Sequence, residues 1–324
     1  MNLAIIGCGG MGANHAAMAA NAGVNVVVCA DAVRKAATAL ARTYGAKATT
    51  DWEAAIQRDD VDIVLITTPT PTHADLVKRA AKAGKHIFCE KPFARTVSQA
   101  KQALAACEKA GVKLFVGHVV RYFHEFEAMK QQVESGRIGT PGYTKLYRGG
   151  IFPLGHQKWF RDYEQSGGVT FDCMIHDMDW VRYVFGEPER LYCQALLYRE
   201  LEGLDYAQVT MRMKNGLIAT FVGTWAHPTG FQVKVEICGD KGMVQFDSND
   251  TSIEAEKRAV GPQPGMIIPM SADAVSPYQL EWEDFVAWFE GKGTPRVTPQ
   301  DAIRAVEMAE AALKSAKTRK PVAL

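Results

Sequence analysis

The 324-residue sequence lacks an excess of charge of either sign: 37 Lys and Arg stand against 36 Asp and Glu, a formal net charge of +1. A chain so balanced carries no electrostatic footprint for nucleic acid or for an anionic membrane surface. It lacks a basic N-terminal segment leading into an apolar run, and it lacks any apolar window of membrane-spanning length. It also lacks cysteine pairing signals. Cys8, Cys29, Cys89, Cys107, Cys173, Cys193 and Cys238 are odd in number, scattered and free of C-x-x-C spacing. They read as reduced, small apolar residues of a cytoplasmic protein, not as a disulfide frame or a metal site. What remains is ordinary globular composition, 47% hydrophobic and 23% charged, in a chain long enough for two domains.

The first third alternates short apolar runs with helical patterns. Strands are predicted at Leu3 to Ile6, Val24 to Cys29, Val61 to Thr67, His86 to Cys89 and Lys113 to Gly117, with helices at 13–22, 33–43, 73–83 and 97–110 between them. Continuous apolar strands separated by helices imply an α/β unit: a doubly wound parallel sheet covered on both faces. After about residue 120 the pattern changes. A helix at 124–135 gives way to runs alternating residue by residue, at Tyr206 to Met213, Leu217 to Trp225, Val233 to Ile237 and Met243 to Phe246. Turns at Lys214-Asn215-Gly216 and Gly239-Asp240-Lys241-Gly242 favour hairpins. These features predict an α+β part with a large, open, mostly antiparallel sheet, closed by helices at about 277–290 and 299–318. The expected domains are 1–120 and 121–324, with the last helix able to pack back on the N-terminal domain. The loop 259–272, rich in Pro and Gly, is the segment most prone to disorder.

Gly7-Cys8-Gly9-Gly10-Met11-Gly12 fits G-x-G-x-x-G, follows the first strand and opens a helix of small residues. Gly7 permits the tight turn, Gly9 lets the backbone approach a pyrophosphate, and Gly12 lets the helix pack on the strand. The free N–H groups at the helix start suit phosphate charge. Asp31 ends the second strand 19 residues beyond Gly12, near the spacing of about 20 expected for a carboxylate that binds the ribose 2′-hydroxyl. It would repel a 2′-phosphate, so NAD is favoured over NADP, although Arg34 lies close enough to complicate the choice.

Two further clusters could do chemistry. Glu90-Lys91-Pro92 follows a strand at the carboxyl edge of the predicted sheet, where ligands of such folds bind; the same tripeptide also serves as a surface turn. The segment Ser166-Gly167-Gly168 to Asp177 places Asp172 and His176 at i and i+4, one above the other on a helix. A carboxylate beside an imidazole suits general-base work near neutral pH; it is equally the pattern of a local surface hydrogen bond.

Taken in order, the glycine loop, Asp31, Glu90-Lys91-Pro92 and the Gly-Gly…Asp172…His176 segment resemble the glucose-fructose oxidoreductase / inositol dehydrogenase / rhizopine-catabolism (Gfo/Idh/MocA) family over nearly the whole chain. The resemblance implies a Rossmann domain plus a C-terminal α/β domain, and NAD(P)-dependent hydride transfer at a carbinol carbon of a sugar, sugar derivative or cyclitol. It implies homodimers or homotetramers formed through the C-terminal sheet. Carried over by position, Lys91 stabilises charge on the reacting oxygen, His176 is the general base, and Asp172 orients it or binds a neighbouring hydroxyl. Thr68, Pro69 and His73 lie in a loop resembling the one that passes under the cofactor, and Trp159 and Arg161 in one that borders the nicotinamide. With Gly10, Met11, Arg34, Glu90 and Lys91 these complete the expected cofactor set.

The expected substrate pocket contains Lys91, Arg121, Tyr122, His156, Asp172 and His176, with Lys158 and His227 as further candidates. Val120 and Phe231 stand where some inositol dehydrogenases carry an arginine and a tyrosine, which weakens the case for myo-inositol. Two other readings fit the same scaffold: an NADP-dependent reductase of keto-sugars, and a non-catalytic NAD-binding sensor or regulator. A sensor need not keep a proton-transfer set, which favours the enzyme.

Overall fold

The computed structural model describes residues 1–153, 155–196, 205–249 and 275–324, without the side chains of 156–158, 228 and 229. The disorder-prone loop 259–272 therefore lies outside the described residues, as do the side chains of His156 and Lys158. The chain divides into two units, Met1–Val119 with Val275–Ile303, and Val120–Ala274 with Arg304–Leu324.

The first unit holds strands β1 (Asn2–Ile6), β2 (Asn25–Ala30), β3 (Lys47–Thr49), β4 (Ile63–Ile66), β5 (His86–Glu90) and β6 (Leu114–Gly117). They form a fully parallel sheet in the order β3-β2-β1-β4-β5-β6, the dinucleotide-binding order whose switch point lies between β1 and β4. Leu3, Ala4, Ile5, Ile63, Val64, Leu65 and Ile66 are all 0% exposed, as a sheet covered on both faces requires. The helices that cover it carry local stop signals. Arg34–Tyr44 ends on Gly45 at φ +64, and Val97–Ala110 starts from a Thr96/Gln99 capping box and ends on Gly111 at φ +69. Sequence patterning missed β3 and the helix Trp52–Ile56, both too short to show a period.

Pro277–Phe289 belongs to the first unit, so the segment 275–303 departs from the simple boundary at residue 120. Trp282 and Phe285, each 0% exposed, pack against Phe88 with ring centroids 4.6 and 5.4 Å apart. The final helix, Pro299–Thr318, carries residues of both units.

The second unit is built on a seven-stranded sheet of β7 (Pro141–Ile151), β8 (Pro188–Ala195), β9 (Tyr206–Met213), β10 (Ile218–Thr224), β11 (Ala226–Gly239), β12 (Met243–Asp247) and β13 (Val322–Ala323), in the order β12-β11-β7-β10-β9-β8-β13. The β7–β10 pair is parallel and the others are antiparallel. In β9 the alternation is clean, with Ala207, Val209, Met211 and Met213 at 0% exposure and their neighbours exposed. Strand β7 escaped sequence patterning because its buried face carries Thr144 and Arg148 beside Leu146. Arg148 is neutralised there by Asp177, with Nη2 donating to Oδ1 at 2.5 Å.

Among the described residues, no helix is long and apolar enough to cross a membrane. All seven cysteines are free thiols, six of them buried.

Candidate functional site

The dinucleotide half lies at the carboxyl ends of β1, β2, β4 and β5. Gly7 sits at φ +99 and donates its N–H to Ala30 O at 2.9 Å. A Cβ on Gly7 would come within 2.7 Å of the Thr67 carbonyl carbon, and one on Gly12 within 2.1 Å of Gly7 O. Both glycines are thus demanded by the protein's own packing. Gly9 differs, since a Cβ there meets nothing within 4 Å. Its bareness is unused by the fold and leaves the backbone open to a pyrophosphate. The helix it opens, Gly10–Asn21, has no side-chain cap and no acidic residue in its first turn, so its leading N–H groups suit an anion.

Asp31 is oriented by that same loop. Its Oδ2 accepts from Cys8 N–H and its Oδ1 from Val33 N–H, both at 2.7 Å. Each oxygen retains a lone pair for a ribose hydroxyl. Arg34 is exposed at the start of the next helix. The residues present therefore fit NAD, and a 2′-phosphate would meet the Asp31 carboxylate.

The loop after β4 is tied to the glycine turn, with Thr67 Oγ1 donating to Gly7 O at 2.6 Å. Thr68 and Thr72 share a hydroxyl hydrogen bond at 2.6 Å, and Pro69 is half-buried beside them. His73 was expected among the cofactor ligands. Its ring is 1% exposed, with Nδ1 2.8 Å from Pro92 O and Nε2 2.7 Å from Thr68 O. A neutral ring donates to one of these carbonyls and lies against the other, so it straps the loop to Glu90-Lys91-Pro92. Burial pulls its pKa below the usual imidazole value, against the two carbonyls.

Glu90 is likewise turned inward. It is 6% exposed, its Oε1 lies 2.7 Å from His15 Nε2, and its Oε2 accepts from Lys91 N–H at 2.9 Å. Burial pushes its carboxyl up, but the His15 bond and the Lys91 charge outweigh this and hold it below the usual carboxylate range. The Lys91–Pro92 bond is cis, and Lys91 itself is half-buried.

In the second unit the expected single helix is two. Gly168–Asp172 stops, and Ile175–Phe185 begins afresh. Cys173 N and Met174 N both donate to Val169 O at 3.0 Å, so the ladder slips by one residue before Met178 N restarts it on Met174 O. Asp172 closes one helix and His176 lies in the first turn of the next, with the slipped ladder between them. Ile175, Met178 and Val181 point inward at 0% exposure, while Asp172 is 6% exposed and His176 half-buried.

Arg121 was expected in the substrate pocket. It is 2% exposed, its Nε and Nη2 donate to the two oxygens of Asp179 at 2.8 and 2.6 Å, and its guanidinium lies 4.4 Å from the Tyr183 ring centroid. Two of its three nitrogens are thus held by a buried carboxylate and its face by an aromatic ring. Tyr122, also 2% exposed, is a core aromatic. The Trp159 and Phe160 rings lie tilted at 32° with centroids 4.0 Å apart, and Arg161 is exposed.

Three participants carried no sequence signal: His15, Trp282 and Asp205. Asp205 is 0% exposed and accepts Val169 N–H at 2.6 Å, at the start of the helix that carries Asp172. Burial and the Asp172 charge push its carboxyl up to about 6 against that bond.

Comparison with known proteins bears on this geometry. Residues 1–118 match the oxidoreductase family with an NAD-binding Rossmann fold, and residues 126–245 match the GFO/IDH/MocA C-terminal domain. "Uncharacterized oxidoreductase YrbE" of Bacillus subtilis is 33% identical over 290 residues, 85% of this chain and 82% of its own. The chain belongs to the Gfo/Idh/MocA family. Inositol 2-dehydrogenase of Rhizobium meliloti is 29% identical over 330 residues, 99% of this chain and 98% of that one. The crystal structure of a probable dehydrogenase from Thermotoga maritima superposes with a TM-score of 0.84 at 27% identity, over 100% of this chain and 98% of that one. As a Gfo/Idh/MocA member, the chain is an NAD-dependent oxidoreductase acting on CH–OH groups.

Proposed function

We propose that this oxidoreductase oxidises a secondary alcohol of a cyclitol or sugar, with His176 as general base, Lys91 as the cation that stabilises the reacting oxygen, and Asp172 as the carboxylate that orients the base or holds a neighbouring hydroxyl. The observation that carries the reading is the coexistence of a complete dinucleotide fingerprint with this proton-transfer set in one chain. When bound, NAD supplies the hydride acceptor. The glycine loop, the helix start and Asp31 would hold its pyrophosphate and ribose. His176 takes the hydroxyl proton, and Lys91 offsets the negative charge that develops on the same oxygen. Arg121 and Tyr122, each 2% exposed, are read as supporting the pocket from within the fold. Val120, at 1% exposure, offers no donor, so specificity rests on other residues than those an arginine and tyrosine would supply.

The test is NADH absorbance against a panel of inositols, aldoses, glycosides and uronic acids, followed by Lys91→Ala and His176→Ala on the best substrate. Each variant should lose about 10²- to 10⁴-fold in kcat while NAD affinity stays within a few-fold. Wild-type turnover in either variant overturns the assignment.

The same reading extends to assembly and location. The outer face of the second unit's sheet presents Tyr206, Ile218 and Met243 at 41, 39 and 54% exposure, and it fits the face of a second copy in a homodimer or homotetramer. Light scattering of wild type and Ile218→Lys tests this, since a monomeric wild type refutes it. Seven free thiols suit a reducing cytoplasm.

A further inference from the structure

The backbone on the N-terminal side of Lys91 hangs from a buried chain of hydrogen bonds. Trp282 Nε1 donates to His15 Nδ1 at 2.9 Å, His15 Nε2 lies 2.7 Å from Glu90 Oε1, and Glu90 Oε2 accepts from Lys91 N–H at 2.9 Å. His15 and Trp282 are 0% exposed and Glu90 is 6% exposed, so water does not stand in for any of these partners.

The donor and acceptor types fix every hydrogen in this chain. An indole N–H can only donate, so His15 Nδ1 must accept. The ring hydrogen then sits on Nε2, the one place from which it can serve Glu90. An imidazole with its hydrogen on Nδ1 would collide with the indole N–H and turn a lone pair toward a carboxylate. Glu90, with both oxygens engaged, presents Oε2 to the peptide N–H of Lys91.

We propose that His15 is a positioning residue for Lys91, acting through Glu90, and that Trp282 sets the tautomer His15 needs. This rests on the role given to Lys91 above. The arrangement explains why 275–303 returns to the first unit. The helix Pro277–Phe289 brings an indole to a residue 267 positions earlier, on the helix opened by the glycine loop. It also gives the half of the site that holds the dinucleotide a direct tie to the reacting lysine. A lysine displaced by about 1 Å can cost 10²-fold in rate, whereas the hydrogen bonds that hold Gly7 and Asp31 go to Ala30, Cys8 and Val33.

The test compares His15→Leu, His15→Gln and Trp282→Phe with Lys91→Ala, using myo-inositol or the best substrate of the panel. Glutamine can accept from Trp282 and donate to Glu90, so it should restore most of what leucine removes. We expect His15→Leu to lose about 10²-fold in kcat with the NAD dissociation constant, read by nucleotide fluorescence, within about threefold. Trp282→Phe should show a smaller kcat loss in the same direction. Long-range proton–nitrogen NMR of the wild-type protein should show His15 carrying hydrogen on Nε2, and Trp282→Phe should broaden or shift that signal. Wild-type kcat in both His15→Leu and Trp282→Phe, beside an inactive Lys91→Ala, overturns the inference. Equal losses in the leucine and glutamine variants, NAD affinity falling in step with kcat, or a hydrogen on Nδ1 overturn it too. An active Lys91→Ala instead removes the lysine assignment on which it rests. If His15→Leu does not fold, the NMR tautomer and the Trp282→Phe kinetics decide the question.

Discussion

Glu281 should make the protein less stable as pH rises, and Glu281→Gln should abolish that dependence. The side chain is 0% exposed, and neither carboxyl oxygen has a hydrogen-bond partner among the described residues. Burial, and then the nearby Glu90 charge, push its carboxyl well above the ordinary value of 4.5. In the unfolded chain the group ionises near the ordinary value, while in the folded chain it keeps its proton. The folded state therefore binds more protons across that interval, and stability falls as pH rises through it. The contribution is fully present below the unfolded pKa and is lost as pH climbs toward the folded one. The slope is about 1.4 kcal/mol per pH unit. Over each pH unit above the ordinary value in which the folded group keeps its proton, the variant should therefore gain up to about 1.4 kcal/mol on the wild type, a sizeable share of the roughly 5–15 kcal/mol that holds a protein folded. Glutamine brings its own unsatisfied amide, but that cost is the same at every pH, so the difference in slope is the informative quantity. Urea unfolding at fixed ionic strength across this range measures it. Parallel pH dependences for the two proteins would refute the argument and mean that Glu281 is ionised in the folded state.

Gly9→Ala should leave the urea midpoint within the roughly 0.5 kcal/mol expected of an unobstructed surface change, because its Cβ meets nothing within 4 Å, yet it should weaken NAD binding measured by fluorescence titration. Gly12→Ala forces a methyl to within 2.1 Å of Gly7 O and should cost about 1–3 kcal/mol as well as NAD affinity. Arg121→Met strands Asp179, itself 0% exposed, and should cost about 3–5 kcal/mol in a denaturation series. A raised substrate KM with unchanged stability would restore Arg121 to the pocket.

The readable parts of this protein are those whose information is local. The glycine loop and Asp31 announce themselves because turn, helix start and strand end follow one another within a few residues, and backbone sterics leave few substitutes. The strand Tyr206–Met213 is legible because its inward and outward residues differ in polarity at every step. Thr96 and Gln99 cap a helix with contacts three residues apart. Asp172 and His176 are a partial case. Their residue types were visible, but the slip at Cys173 and Met174, set by how Val169 O shares two donors, was not.

By itself, then, the sequence determined the two sheet types, the glycine turn and the carboxylate that favours NAD, since each depends on neighbours along the chain. Only the tertiary structure decided what the polar side chains are for. Arg121 looks like a free cation until Asp179, 58 residues on, engages two of its three donating nitrogens. His73 looks like a ligand until its ring is found between two backbone carbonyls. His15 looks like one residue of a small-residue helix until Trp282 and Glu90 take its two nitrogens. The physical reason is common to all three. Most buried polar groups are satisfied by whatever partner the fold brings to them, and no local periodicity records which distant residue that will be.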